Sequence, residues 1–540
     1  MSKRTKIIIA VIVATLALAL AYYVFLPPIN AYSVEFWLSL TLAIAAYGVP
    51  ISAILKKPEK KNGHIKLKFA PVMWVLLALP VSVIVIGSIF SSTFFNAQKY
   101  ASIANVEEAV FSEDMPEVDT VTNISLMDTT SAQAFGERKL GNLSDVVSQY
   151  QLSHDYNQIN FNRTPKKISN LEYADFFKWM NNRDSGIPGY VMVNPVDTSA
   201  EYIKLDKPLK YVDSGYFGDD LMRKLRFSYP TKIFDDINFE VDDAGNPYFI
   251  VSCLSPKVFM FGGMDVNEVI IFNPCDGTSQ LYAVEDAPAW IDNVFSGYLA
   301  CEKYDWKGTL SGGFWNSVIG NKDCKITTDD FGYIVLEDDV WYFTGVTSVT
   351  SDESNIGFII SNARTGEYKY YTVAGAEEYT AMGAAEGEVQ EKGYRASFPS
   401  LINVSGQATY IMMLKDANDN PKLYALVNVE NHTIVATGDT QTEAKRAYVK
   451  RLEEKGVVTD DEIPDEQLKS AAVLVEDVRL AVFGGETVVY ITADNGVVYK
   501  GYLEKDEGLI LIRKGDTIDI KYLETESAIV EIDTFVGIQE

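Results

Sequence analysis

The side chains that could carry chemistry are few and scattered. Beyond residue 99 the chain has only two histidines, His154 and His432. A histidine metal cluster or an H-E-x-x-H pair therefore has no material, and a Ser-His-Asp arrangement would have to use one of these two. Neither a G-x-S-x-G elbow nor a Walker A loop occurs. Carboxylates are plentiful: Asp219-Asp220, Asp235-Asp236, Asp242-Asp243, Asp329-Asp330 and Glu337-Asp338-Asp339. Two of them about 5–10 Å apart in a cleft would suit glycoside hydrolysis. Most adjoin Gly or Asn, however, where Asp makes local turn hydrogen bonds. The stretch DANDNP (416–421) has the oxygen spacing of a calcium loop, but Pro421 stands where such a loop needs Gly and Val427 where it needs a bidentate Glu. It reads as a hairpin turn. The expectation is no catalytic residue, no metal and no cofactor.

Three tryptophans remain as candidates. Trp306, Trp315 and Trp341 lie in YDWKG, GGFWNS and DDVWYFTG, beside Asp or Asn. Exposed aromatics so placed can grip a ligand or a protein partner, whereas buried ones fill a core. Cys253, Cys275, Cys301 and Cys324 show no CxxC spacing for zinc. Two disulfides in any of three connectivities, or four buried thiols, both remain open.

The elements that must position these residues begin with three apolar runs: Ile7–Leu26, Phe36–Leu55 and Ala70–Phe95. Each reaches the roughly 20 residues needed to cross a bilayer. Between the second and third lies KKPEKKNGHIKLK (56–68), with six lysines and one glutamate, and the start SKRTK is also basic. Because Lys and Arg flanking a span stay cytoplasmic, this pattern places the N-terminus and the lysine loop inside and residues 99–540 outside. The chain has a net charge of −27, and its first 98 residues carry nine basic and two acidic side chains. The remainder is therefore strongly acidic, which argues against nucleic acid as a partner. The lipid bilayer, through residues 7–95, is the partner these runs imply.

Within the acidic region, VIIFNPCDGTSQLYAV (269–284) and FIISNARTGEYKYYTV (358–373) agree at six of sixteen positions. Both read as strand, tight turn, strand, with Asn four residues before Gly. Weaker echoes are YVMVNPVDTSAEYI (190–203) and YALVNVENHTIVAT (424–437), where His432 replaces the Gly. The asparagines Asn194, Asn273, Asn362 and Asn428 are 79, 89 and 66 residues apart. Helical patterns follow at 217–227, 375–393 and 440–456, and earlier strands are expected at 247–254, 332–346 and 408–416. A short amphipathic helix is expected at LGNLSDVVSQYQL (140–152). The inferred unit is a few antiparallel strands plus a helix. With ISNARTGEYKYYTV as its closest stretch, this arrangement outside a membrane anchor resembles the PepSY and cystatin-like modules of bacterial envelope proteins. That resemblance implies binding, assembly or regulation rather than catalysis.

From about residue 470, short strands divided by Gly485, Asn495-Gly496, Glu507-Gly508 and Gly515 read as a small OB- or SH3-like barrel, with LILIRKG among the strands. The acidic stretch VVTDDEIPDEQ (457–467) reads as a linker. The expected order is a three-helix membrane anchor (1–98), an extracytoplasmic α+β repeat region (99–456), a linker (457–469) and a small β-barrel (470–540). The function expected is non-catalytic: a membrane-anchored envelope protein that binds, scaffolds or assembles an envelope or membrane protein partner. Two alternatives are an envelope glycan or peptide hydrolase using acids in 300–345, and a sensor or accessory subunit. The last would show Gly48, Ser52, Ser82 and Ser88 along one helix face.

Overall fold

A computed structural model of the chain describes residues 2–55, 59–61, 64–66, 71–118, 126–196, 199–336, 338–458, 468–483, 486–503, 506–522 and 529–539. Much of the lysine loop, most of the 457–467 linker, the Gly485 turn and Glu337 lie outside these residues. The described residues form two compact units, Met1–Leu452 and Glu453–Glu540.

The first unit opens with helices α1 (Lys3–Phe25), α2 (Val34–Leu55) and α3 (Pro71–Ser91), all three long and apolar enough to cross a membrane. Leu26 ends α1 in a left-handed conformation (φ 48°) just before Pro27-Pro28, which cannot continue a helix. A fourth helix, α4 (Thr93–Ala101), follows α3 after a sharp break. Within α4, Asn96 leaves helical geometry at a kink, and its Nδ2 donates back across the break to the carbonyls of Phe90 (2.6 Å) and Ser92 (3.1 Å). The side chain thus satisfies acceptors that the interrupted helix has freed.

Beyond α4 the unit is β-rich, with four mainly antiparallel sheets. The first runs Tyr150–Leu152, Thr164–Tyr173, Ile187–Val193, Ala200–Leu209, with Asn157–Phe161 also on the second of these. The second runs Ile233–Val241, Pro247–Val258, Gly262–Phe272, Ser279–Ala283. The third is built on Asp339–Ser348, Ser351–Asn362 and Tyr368–Tyr371, with Val106–Ala109 added in parallel at its edge. The chain leaving α4 is therefore tied into the third sheet within a few residues. The fourth is built on Gln407–Lys415, Pro421–Asn428 and Val435–Gly438.

Each sheet ends in a hairpin whose turn begins with one of the four asparagines. Asn194, Asn273, Asn362 and Asn428 each donate their backbone N–H across the turn, to the carbonyls of Ser199, Thr278, Glu367 and Ile434. Each also accepts a turn amide on its side-chain oxygen: from Val196 (3.0 Å), Cys275 (2.9 Å), Arg364 and Thr365 (2.9 Å each) and Asn431 (2.8 Å). Gly277 (φ 75°) and Gly366 (φ 72°) take the left-handed position that a side chain would strain. With His432 in the turn, the fourth turn spans one more residue before the chain is recaptured at Ile434. A helix follows each hairpin: Leu221–Ser228, Gly297–Leu310, Glu378–Glu388 and Gln441–Glu454.

Helices and sheets alternate in layers. Tyr342, Val346 and Ile359 of the third sheet pack on Ala300 and Tyr304 of helix Gly297–Leu310. From its opposite face, Trp341, Phe343 and Phe358 meet Ala381 and Ala385 of helix Glu378–Glu388 and Tyr410 and Met412 of the fourth sheet. Covering both faces explains why strand Asp339–Ser348 is buried along nearly its whole length.

Two expectations are corrected here. Residues 140–152 are not one helix: Thr129–Gly141 ends at Asn142, Ser144–Val147 makes a single turn, and Tyr150–Leu152 is a strand. Gly141 and Asn142 break the pattern. In the second unit LILIRKG is not a strand, because Glu507–Leu511 is a 3-10 helix that Asp506 caps through the Gly508 amide (2.8 Å). The strands of that unit are Lys469–Phe483, Glu486–Ala493, Val498–Tyr502, Thr517–Tyr522 and Ile529–Gln539, and their pairing returns from the last two to the first, around a core that includes Val489, Ile491, Ile518 and Ile532.

Candidate functional site

The three candidate tryptophans are separated by the fold. Trp341 is 8% exposed, inside the core between the third and fourth sheets. Trp306, on helix Gly297–Leu310, is half-buried with its ring edge-on to Tyr100 of α4 at 5.0 Å. Trp315 is 64% exposed and stands 5.9 Å from Phe94, just past the end of α3. Trp306 and Trp315 thus share the α4 end of the molecule, and Trp341 belongs to another layer.

Most of the doublets have at least one member with a local partner. Asp220 caps helix Leu221–Ser228 through the Arg223 amide (2.7 Å), and Asp219 faces Arg183 at 3.8 Å. Asp242 folds the turn after Ile233–Val241 by accepting from the amides of Ala244 and Asn246. Asp330 accepts from the Phe331 amide, and Asp338 from Asn160 Nδ2 (2.9 Å). Asp339 accepts from Nε and Nη2 of Arg364, with Asn362 Nδ2 as a third donor (2.8 Å). In DANDNP, Asp416 accepts from the Asn420 and Asn418 amides, which hold its carboxyl down to about 2, and the segment joins two strands of the fourth sheet. His154 Nδ1 lies 2.9 Å from Gln133 Nε2. All four cysteines are free thiols. Among the described residues, no group of three or more His, Cys, Asp and Glu is placed to hold a metal ion.

A buried polar junction escaped the sequence reading. Glu240, fully buried, accepts from the Asp292 amide (2.9 Å), the Asn293 amide (2.8 Å) and Asn293 Nδ2 (2.9 Å). Asp292 in turn accepts the Asn160 amide at 2.8 Å, and Asn293 Nδ2 also reaches the Gln158 carbonyl. Burial raises both carboxyls, and Glu240 raises Asp292 further. The junction clamps the first sheet to the second and is sealed from solvent. Its only signal in the sequence is the polar pair Asp292-Asn293 inside the apolar run WIDNVF. Glu378 is sealed in the same way at the start of its helix: Gly345 N–H donates to Oε1 (2.7 Å) and Thr328 Oγ1 to Oε2 (3.2 Å), and burial pushes it up to about 7. Lys303 and Asp265 form a buried ion pair at 2.7 Å.

The open hollow of interest lies where α1 meets the β-rich body. It has a volume of about 400 Å³ and is lined by Tyr23, Asp213, Tyr216, Phe217, Asp220 and Arg223 among others. Arg223 organises it, with its guanidinium 4.2 Å above the Tyr23 ring, Nε donating to the Tyr23 carbonyl (3.2 Å) and Nη1 to that of Phe217 (2.6 Å). Asp213 at the rim is pushed up to about 6 by the protein packed round it and by Glu172, Asp220 and Asp155. The hollow offers aromatic faces, one arginine and two carboxylates, a set suited to holding a polar group by stacking and hydrogen bonds. The signal was present in FGDDLMRKLRF, but its contact with Tyr23, some 200 residues away, was not.

Gly48 and Ser52 are used inside the chain, against Met73 of α3. Ser82 Oγ bonds the Leu79 carbonyl of its own helix, and Ser88 is exposed. The four do not line one face. The chain matches no family model and no curated protein.

Proposed function

We propose that this chain is a membrane-anchored, extracytoplasmic protein of the cell envelope that binds, scaffolds or helps assemble an envelope or membrane protein partner, without catalysis. In this reading α1, α2 and α3 span the bilayer, the N-terminus and lysine loop face the cytoplasm, and the β-rich body lies outside. The observation that carries it is the continuity of helices and body. Ser91, at the end of α3, accepts the amides of Met260 (3.2 Å) and Phe261 (3.0 Å) on its hydroxyl. At the end of α1, Ile29 N–H bonds the Pro230 carbonyl (2.7 Å) and Asn30 Nδ2 that of Thr231 (2.8 Å). A partner held by the body is therefore held at a fixed height above the anchor, as a scaffold requires. The structural work done by the acids supports a non-catalytic role.

The four asparagine turns, each followed by a helix, support reading the sheets as copies of one unit, and with it the likeness to PepSY and cystatin-like modules. The circular strand pairing of the second unit supports an OB- or SH3-like fold there. The test is crosslinking in intact cells, purification through the C-terminus and mass spectrometry. The expected result is a reproducible protein partner, lost when residues 99–455 are deleted. Retention on envelope glycan with release of cleaved product would overturn the proposal in favour of a hydrolase.

A further inference from the structure

Apolar side chains on the β-rich body are exposed just where the body meets the helices. The segment Phe314–Gly320 contains no charged residue. In it Trp315 is 64% and Ile319 74% exposed, and Val318 is also exposed. A soluble surface rarely presents such a cluster without covering it. Its place is fixed by Phe94, three residues beyond the end of α3, whose ring lies 5.0 Å from Phe314 and 5.9 Å from Trp315. A neighbouring exposed ring, Phe259, lies 5.8 Å from Phe90 of α3 itself. The same arrangement recurs at the end of α1. Phe227, exposed on helix Leu221–Ser228, lies 6.0 Å from Tyr22 and 6.4 Å from Tyr23, and the exposed Phe217 flanks the hollow beside it.

We propose that these residues form a foot on which the body rests in the bilayer: Trp315, Val318 and Ile319, backed by the half-buried Phe314, with Phe259 at the α3 end and Phe217 and Phe227 at the α1 end, insert into the interfacial layer of the leaflet. The occupant is lipid because each cluster continues the apolar surface of a helix end, at the depth where headgroups meet acyl chains. Aromatic rings favour that depth, and an apolar edge seated there is buried about 5–10 Å into the boundary. The contact holds the body upright on its anchor and sets the hollow at Tyr23 against the headgroups. It rests on the reading that α1–α3 span the membrane.

The test uses the full chain reconstituted in phosphatidylcholine vesicles whose acyl chains are brominated either near the carbonyl or near the chain end. The emission of Trp315 is taken as the difference between the wild-type chain and Trp315→Phe, and that of Trp74 on α3 from Trp74→Phe. The expected result is that Trp315 emission is blue-shifted, quenched by bromine near the carbonyl more than near the chain end, and protected from iodide in the water. Trp315 emission that is quenched by iodide and indifferent to bromine, with Trp74 still quenched by bromine, overturns the foot alone. If Trp74 is also indifferent to bromine, the spanning reading falls and the foot with it.

Discussion

Glu378 should make the stability of the first unit depend on pH in a way that a single substitution removes. Its carboxyl is buried at the start of helix Glu378–Glu388, and burial raises it from 4.5 to about 7 despite donation from Gly345 and Thr328. The folded state therefore binds its proton more tightly than the unfolded chain does. The stabilisation from this group is complete below the unfolded value, falls between the two, and is lost once the pH passes the folded value. At about 1.36 kcal/mol per pH unit, the full range amounts to about 3 kcal/mol, of which about 2.5 kcal/mol lies between roughly pH 5 and pH 8. Glu378→Gln keeps an acceptor for Gly345 N–H and replaces the oxygen that accepts from Thr328 Oγ1 with an amide that can donate to it, but it does not titrate. Urea unfolding of both chains in lipid nanodiscs, followed by pulse proteolysis, gives their stability difference at the two pH values. The expected outcome is that the wild type loses about 2.5 kcal/mol relative to Glu378→Gln on going from the lower to the higher pH. A difference unchanged with pH would refute the reasoning: the Gly345 amide and the helix N-terminus would then be holding the carboxylate ionised throughout.

Three pairs of variants probe the framework by the same unfolding measurement. Trp341→Ala should cost about 3–5 kcal/mol as a core truncation, whereas Trp315→Ala, which loses only its contacts with Phe94 and the leaflet, should cost clearly less; similar losses at both would contradict the split between core and surface. Asn362→Ala removes two turn amides and a contact to Asp339 at a buried position, so about 2–3 kcal/mol is expected, against about 1 kcal/mol for Asn194→Ala with its single amide; equal costs would show that these turns do not depend on the side chain. Lys303→Met strands the Asp265 charge and should cost about 3–5 kcal/mol, most of which Lys303→Met with Asp265→Asn restores; a double variant as unstable as the single would mean that packing, not charge, is at stake.

The parts of this fold that were legible in the sequence are those written in local chemistry. An asparagine closes a hairpin with its own side chain, so Asn194, Asn273, Asn362 and Asn428 announced four turns without any knowledge of what packs on them. The three apolar helices were legible for a similar reason, since length and composition suffice. Helix Gly297–Leu310 was missed because its buried residues, Leu299, Ala300, Lys303, Tyr304 and Leu310, meet several neighbours and leave no clean apolar stripe. Its aromatic residues then looked like a ligand surface. Strand Asp339–Ser348 is covered on both sides, so it shows no alternation, and Trp341 could not be assigned to a core from pattern alone.

Glu240 shows the same difficulty from the polar side. In NFEV, alternation puts Phe239 and Val241 inward and Glu240 toward water, as on a sheet with one wet face. The wet face is closed instead by residues 291–295, whose backbone amides supply the donors that the carboxylate needs once water is excluded. A carboxylate that alternation places on the surface is thus a buried joint, while two aliphatic side chains, Val318 and Ile319, stand exposed beside Trp315 at the foot. Both inversions come from a layer contributed by distant sequence, which no local period records. The residues that relate this body to its surroundings are therefore found where burial and local pattern disagree, and that criterion selects Trp315, Val318 and Ile319 over the acids with which the search for chemistry began.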